Sequence, residues 1–399
     1  MKKRILLAAA LLSMGALCTG VPQNASSATM IAPNDANLQY FGRWDKSNAQ
    51  EYQCAQGAVY IKANFTGTSI KAKMRDPNDK WRVSIDGSAL KKIKPKGSET
   101  VLAENLKPGT HKLLFVRSTE GYMGTTKFYG FELDDGAKLE KPDPLKTRRL
   151  EFVGDSITAG AKNDGELKGE NYNDIEDNDQ AYGPKVSRML GADYSNVAKS
   201  GEGVVHNWAD PWPSNQVHTA DHYVWTMYSD RKSGEHSLWD AKDFPIDATI
   251  VAMGTNDFSK PAQHSPTRDE FVAGYVHLIK TIRSVNPGKK IICTEPVPGW
   301  VGKRGRAWVK AAVDQVTGEG MKEVYFLAIN DPQPLLEESD YAHDSTHPLQ
   351  TGHQKIADYL KDKIAAIMGW KKQDKREKQK AGACIAASAR LFLSYSNKI

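Results

Sequence analysis

The hydrophobic rhythm of this 399-residue chain changes once, near residue 150, and that change limits the possible folds more than any other feature. Before it, AVYIKANF (58–65), SIKAKMRD (69–76), WRVSIDG (81–87), HKLLFVRS (111–118) and TTKFYGFEL (125–133) alternate apolar and polar residues. Turn groups such as TGT, DGS and KPGT separate them. A period of two belongs to strands with one buried face, and short strands at this spacing build a sandwich or jelly roll. After residue 150, LEFVG (150–154), ADYSNVA (192–198), DATIVAMG (247–254) and KKIICTEPV (289–297) read as strands. Between and after them, YGPKVSRML (182–190), EFVAGYVHLIKTIRSV (270–285) and HQKIADYLKDKIAAIMGW (353–370) read as helices. Pro184 falls in the first turn of one, and Phe271, Tyr275, Leu278, Ile279 and Ile282 share a face of another. Strands alternating with helices imply a parallel sheet covered by helices. The fold class is therefore an α/β domain preceded by an all-β domain. DGAKLEKPDPLKTR (136–149), with two prolines and little apolar content, reads as the linker.

The chain ends carry a different message. Lys2, Lys3 and Arg4 precede an apolar run from Ile5 to about Leu17, and Ser26-Ser27-Ala28 offers small residues for cleavage. This is the pattern of a secretory signal peptide, and the run is short for a membrane span. A secreted or periplasmic protein, with no membrane attachment after processing, is expected. The net charge of +6 is made at the ends: the leader carries +3 and residues 371–399 carry +6, leaving −3 between them. The basic balance is thus no argument for a nucleic-acid partner. The tail matches no packing pattern and is expected to be disordered. Cys18 leaves with the leader, and Cys54, Cys293 and Cys384 have no metal-type or redox spacing. The polar, acidic stretch between Ala159 and Tyr182 reads as a solvated surface loop without EF-hand ligand spacing.

Open parallel sheets hold their working residues just beyond the carboxyl ends of the strands. VGDSITAG puts Ser156 at such a junction, NVAKSGEG puts Gly201 in a turn, and VAMGTNDF puts Asn256 just past a strand. HDSTHPLQTGH places Asp344 three residues before His347. Acyl transfer by serine needs a base beside the hydroxyl, an acceptor on the other ring nitrogen, and preorganised donors for the oxyanion. Ser156, His347, Asp344, Gly201 and Asn256 contain every part. Each block alone is equally a turn: Gly, Asp and Ser are ordinary strand-end residues. Asp155 is expected to shape its turn. His218 and His222, at i and i+4, lack a third metal ligand and read as a surface pair. His206 and His343 read as structural or rim residues.

These blocks resemble those of the SGNH (GDSL) hydrolases: GDSITAG, SGEG, GTNDF and DSTHP. YFGRWD (40–45), AYGPKVSRMLGA, KSGEGVVHNW and GHQKIADYL extend the resemblance to carbohydrate esterase family 2, over roughly residues 38–370. The resemblance implies a flavodoxin-like αβα hydrolase domain over 145–370, behind a jelly roll over 29–140, with a leader over 1–28 and a tail over 371–399. It implies Ser156 as nucleophile and His347 as base. It implies an oxyanion hole made by the Ser156 and Gly201 amides and the Asn256 side chain. Members of that family can orient the histidine by a backbone carbonyl, whereas this sequence carries Asp344, so a full triad is expected. The implied substrate is an O-acetyl group on xylan or glucomannan, handled by a monomer without metal or other cofactor. Trp208 and Trp212 are candidates for stacking on a sugar ring, against the plainer reading of burial under a loop. Two rival functions remain at this level. One is a lipid or aryl esterase, and the other is a carbohydrate-binding protein with an inactive hydrolase domain.

Overall fold

The structure is a computed structural model that describes residues 27–76, 78–121, 124–165, 172–210, 216–227, 237–259 and 265–371. Nearly all of the expected leader and of the basic tail, Cys384 and Trp212 lie outside the described residues.

Twelve strands, numbered in chain order, form two antiparallel sheets. The first runs β3 (Asp45–Asn48), β4 (Glu51–Cys54), β11 (Thr126–Leu133), β6 (Ile70–Arg75), β9 (Glu99–Ala103), with β1 (Thr29–Ile31) also on β11. The second runs β12 (Leu139–Glu140), β5 (Tyr60–Gly67), β10 (Gly109–Arg117), β7 (Trp81–Ile85), β8 (Lys91–Ile93), with β2 (Gln39–Phe41) also on β5. Alternate residues of the two sheets meet between them. Ala72, Met74, Phe128 and Phe131 come from one side, and Ile61, Phe65, Trp81 and Phe115 from the other. Every second residue thus faces the core, which is why the sequence alternates.

The second domain holds five parallel strands in the order β14 (Asp193–Ala198), β13 (Arg149–Gly154), β15 (Ala248–Ala252), β16 (Lys290–Thr294), β17 (Val324–Leu327). This is the doubly wound 2-1-3-4-5 order of flavodoxin-like folds. Leu150, Phe152, Ile250 and Ile292 pack under α3 (Tyr182–Met189) and α7 (Gln350–Met368). Val153, Val251, Ile291 and Cys293 pack under α5 (Arg268–Val285) and α6 (Gly302–Gly318). All five apolar residues expected on one face of the 270–285 helix are buried there.

YFGRWD turns out to be the joint between the domains. Arg43 is fully buried; its guanidinium lies 3.2 Å from Glu151 on β13 and donates to the Trp225 carbonyl at 2.8 Å. Phe41 and Tyr60 stack at 4.3 Å and share an apolar cluster with Tyr194, Trp239 and Phe244 of the second domain. Tyr60 and Lys62 both donate to Asp193, at 2.9 and 2.8 Å. A buried ion pair that loses one partner leaves an uncompensated charge, at a cost of about 3–5 kcal/mol. Arg43 therefore ties the sandwich directly to the strand that leads to Ser156.

The structure corrects three expectations. The acidic stretch before Tyr182 is not a solvated loop throughout: Glu176, Asp177 and Asp179 are fully buried. Arg82 of the sandwich binds Asp177 at 2.5 Å, and Arg188 binds Asp179 at 2.8 Å. Arg82 comes from a distant segment and Arg188 from the helix that follows, so a reading of the stretch alone sees only acid. The 136–149 linker is shorter than expected, because Ala137 and Leu139 are buried in the sandwich and Leu139–Glu140 forms β12. His218 and His222 are not a surface pair: His222 is buried, with its Nδ1 2.6 Å from Glu202.

Candidate active site

Ser156, Gly201 and Asn256 follow the carboxyl ends of three adjacent strands, β13, β14 and β15. The strand order reverses there, and open sheets form their binding crevice at that point.

Ser156 is the first residue of a single helical turn, α1 (Ser156–Ala159). Asp155 caps it: its Oδ1 accepts from the Ile157 N–H at 3.0 Å. This is the ordinary work of Asp at a helix start. Burial pushes the Asp155 carboxyl up, against the pull of the Ile157 N–H and the Thr255 hydroxyl. The Ser156 amide is one of the N–H groups that a helix start leaves without an intrahelical acceptor.

His347 comes from the loop before α7. Its Nε2 lies 2.7 Å from Ser156 Oγ, and its Nδ1 lies 2.6 Å from Asp344 Oδ2. A carboxylate on Nδ1 assigns the proton to that nitrogen and leaves Nε2 to accept from the serine hydroxyl. Asp344 is itself held by the backbone, since Oδ1 accepts from the N–H groups of Thr346 and His347 at 3.0 and 2.9 Å. Lys162 donates to the same Oδ2 that holds the imidazole, at 2.5 Å. Burial alone would raise the Asp344 carboxyl. The hydrogen bond and charge of His347, with the Lys162 bond, hold it far below the usual carboxylate range.

The side expected to hold the oxyanion is built on the turn Lys199–Glu202, closed by the Glu202 N–H on the Lys199 carbonyl at 3.3 Å. Gly201 sits third in it with φ +79°, a conformation that type II turns require and that favours glycine. The Lys199 N–H donates to the Gly154 carbonyl at 3.2 Å, so the turn is tied to the strand before Ser156. The Asn256 amide donates to the Glu202 carbonyl at 2.6 Å. Glu202 is fully buried beside His222 and Lys199; burial would raise its carboxyl, and those two partners keep it below its ordinary value.

Asp257, next in GTND, carries a role the sequence reading missed. Its carboxylate accepts the N–H groups of Val204, Val205 and His206 at 2.9, 2.9 and 3.0 Å. It thus fixes the chain just after the Gly201 turn. Gly203 makes this possible, because a Cβ there would stand 2.0 Å from the His206 carbonyl oxygen. Burial pushes Asp257 up to about 7 despite these donors.

Trp208 is not buried under a loop. Its side chain is 58% exposed while its N–H donates to the Gly201 carbonyl at 2.7 Å. Trp300, which the sequence reading passed over, is 44% exposed in the loop after β16. Its neighbour Gly299 offers a backbone hydrogen bond to Tyr341, in the His347 loop. Among the described residues these are the exposed tryptophans. His206 is buried and its Nε2 lies 3.1 Å from the Asp210 carbonyl oxygen; His343 is exposed. Among the described residues no group of three or more His, Cys, Asp or Glu is arranged to hold a metal, and no helix is long and apolar enough to cross a membrane.

Comparison with known proteins agrees with this layout. Residues 40–142 match the family described as carbohydrate esterase 2 N-terminal, and residues 152–355 match the GDSL-like lipase/acylhydrolase family. The cellulase/esterase CelE of Acetivibrio thermocellus is 28% identical over 348 residues, which is 85% of this chain but only 40% of CelE. An acetylxylan esterase/glucomannan deacetylase of Cellvibrio japonicus is 27% identical over 77% of this chain and 84% of its own length. Among solved structures, a family two carbohydrate esterase from Clostridium thermocellum in complex with cellohexaose superposes with a TM-score of 0.73. It is 28% identical, over 84% of this chain and all of that one. A family two carbohydrate esterase from Cellvibrio japonicus, 22% identical, shares the fold with a TM-score of 0.76 over 86% of this chain and 99% of that one. A GDSL match across half the chain, behind a carbohydrate esterase 2 N-terminal region, places the protein: it belongs to the GDSL-like lipase/acylhydrolase family of carboxylic ester hydrolases.

Proposed function

We propose that the protein is an exported serine esterase that removes O-acetyl groups from plant cell-wall polysaccharides, such as xylan or glucomannan, through an acyl-enzyme. The observation that carries the proposal is the chain of hydrogen bonds from Ser156 through His347 to Asp344, at 2.7 and 2.6 Å. In this reading Ser156 Oγ attacks the acetyl carbonyl carbon while His347 Nε2 takes its proton, and Asp344 stabilises the imidazolium. The negative oxygen is received by the Ser156 and Gly201 N–H groups and the second N–H of Asn256. The tetrahedral adduct expels the sugar oxygen, which leaves as a hydroxyl with the proton from His347. Water then attacks the acetyl-Ser156 by the same path, releasing acetate and restoring the serine.

The polysaccharide half of the reading rests on the relatives' substrates and on the exposed rings of Trp208 and Trp300, which suit the flat face of a pyranose. Export is supported by the leader sequence. One copy of the chain holds every group that the mechanism names. The test is acetate release from acetylated xylan, glucomannan and pectin, side by side, for the wild type and Ser156→Ala. We expect release from xylan or glucomannan by the wild type and a loss of roughly 10⁶-fold in the variant, with the fold kept by circular dichroism. Undiminished turnover by Ser156→Ala would end the serine mechanism; octanoyl esters turned over faster than acetyl esters would move the substrate to lipids.

A further inference from the structure

We propose that Glu120, a residue of the β domain, is a positioning residue for the oxyanion turn of the neighbouring domain. The inference rests on the reading above, in which the Gly201 N–H receives the acyl oxygen. Glu120 follows β10 and is fully buried. Its Oε2 accepts the Ser200 N–H at 2.5 Å. The Tyr172 hydroxyl bridges the same pair, 3.2 Å from Glu120 Oε1 and 2.8 Å from Ser200 Oγ. Glu120 is anchored in turn: its own N–H donates to Glu176 Oε1 at 2.8 Å, and the Asn178 N–H donates to the Ser118 carbonyl at 2.7 Å.

The geometry of the peptide chain gives this contact its consequence. Three successive peptide planes run through the turn. The middle one, between Ser200 and Gly201, carries the N–H proposed to meet the oxyanion. The plane before it carries the Ser200 N–H, held by Glu120. The plane after it carries the Gly201 carbonyl, held by the Trp208 N–H at 2.7 Å. Planar peptides joined by two soft torsions per residue leave the middle N–H little freedom once both neighbours are pinned. Glycine adds no side-chain restraint of its own, so the pins must come from outside. The sandwich therefore shapes the catalytic turn as well as joining the hydrolase domain.

Three variants, Glu120→Ala, Glu120→Asp and Glu120→Gln, test this on 4-nitrophenyl acetate, beside wild type and Ser156→Ala. Glu120→Ala is expected to lose about 10²-fold in kcat with KM within about twofold, as a misplaced transition-state donor would cause. Glu120→Gln keeps an acceptor oxygen at the same reach and should stay within about threefold of wild type. Glu120→Asp retracts the carboxylate by one methylene and should fall between them; it also decides the matter if the alanine variant does not fold. Wild-type kcat in Glu120→Ala or Glu120→Asp overturns the proposal. So does a loss in Glu120→Gln as large as in Glu120→Asp, which would mark a need for the charge alone. Activity surviving in Ser156→Ala would instead refute the serine reading beneath it, so the two failures are distinguishable.

Discussion

The two halves of the candidate site are held in opposite ways. The base loop is held largely by its own residues. Ala342 donates to the His347 carbonyl, Ser345 to the Ala342 carbonyl, and Leu349 to the Asp340 carbonyl, while Asp344 caps the backbone of Thr346 and His347. Ten residues in sequence thus place both the imidazole and its carboxylate. The oxyanion turn is held from outside, by Gly154, Glu120, Tyr172, Trp208, Asn256 and, just after it, Asp257. In the proposed mechanism, the difference makes proton transfer a largely local property of this chain, whereas charge stabilisation would depend on contacts between both domains. Damage to the first should show as lost general-base catalysis. Damage to the second should lower kcat and leave the pH profile in place.

His347→Ala gives the largest expected effect on either half, a loss of roughly 10⁶-fold, because the serine has no other base. Asp344→Asn comes next. An amide at that position lets the imidazole settle in the wrong tautomer, and the expected loss in kcat is about 10⁴-fold. A loss of less than tenfold would mean that another acceptor orients His347, which would dissolve the contrast on the base side. Asn256→Ala removes one oxyanion donor and should cost about 10²–10³-fold in kcat, read on 4-nitrophenyl acetate across a pH series. The shape of that pH profile should match wild type. A displaced acid limb in Asn256→Ala would show that the turn also acts on the base.

The same contrast explains what could be read from the sequence. DSTHP was legible because acid and base are three residues apart on one loop, so spacing alone carries the geometry. The GDSITAG, SGEG and GTND blocks were legible as junctions, because the parallel sheet brings the ends of three adjacent strands together. Glu120 was not legible: nothing in RSTEGY marks a residue that reaches Ser200, 80 positions on, in another domain. Asp177 misled for the same reason, since Arg82 pairs with it from the β domain. In the fold, the long strands and helices α3, α5 and α7 were legible, while α6 and β17 passed unread. The buried stripe of α6 is made of small residues, Val309, Ala312, Val313 and Val316, in a cationic, glycine-bearing segment. β17 has four residues, only one of them fully buried, too short to display alternation.

Lys162 gives the smallest effect and the finest test of the contrast, because it touches the base loop from outside. Its ammonium shares Asp344 Oδ2 with His347 Nδ1. A cation there stabilises the carboxylate, as the lowered Asp344 carboxyl reflects, but it opposes the positive charge that the imidazole acquires when it takes the serine proton. Lys162→Met removes that opposition. The acid limb of kcat/KM should therefore move to higher pH, a modest change because the pair is partly solvated. Lys162→Arg should return the limb to its wild-type position. The plateau at higher pH should change by no more than about threefold, since hydrogen bonds from Thr346 and His347 still hold the carboxylate. A limb that stays fixed in Lys162→Met would leave the base loop wholly self-contained. A limb that moves makes Lys162 a contact from outside the loop that sets the working pH of a largely local device.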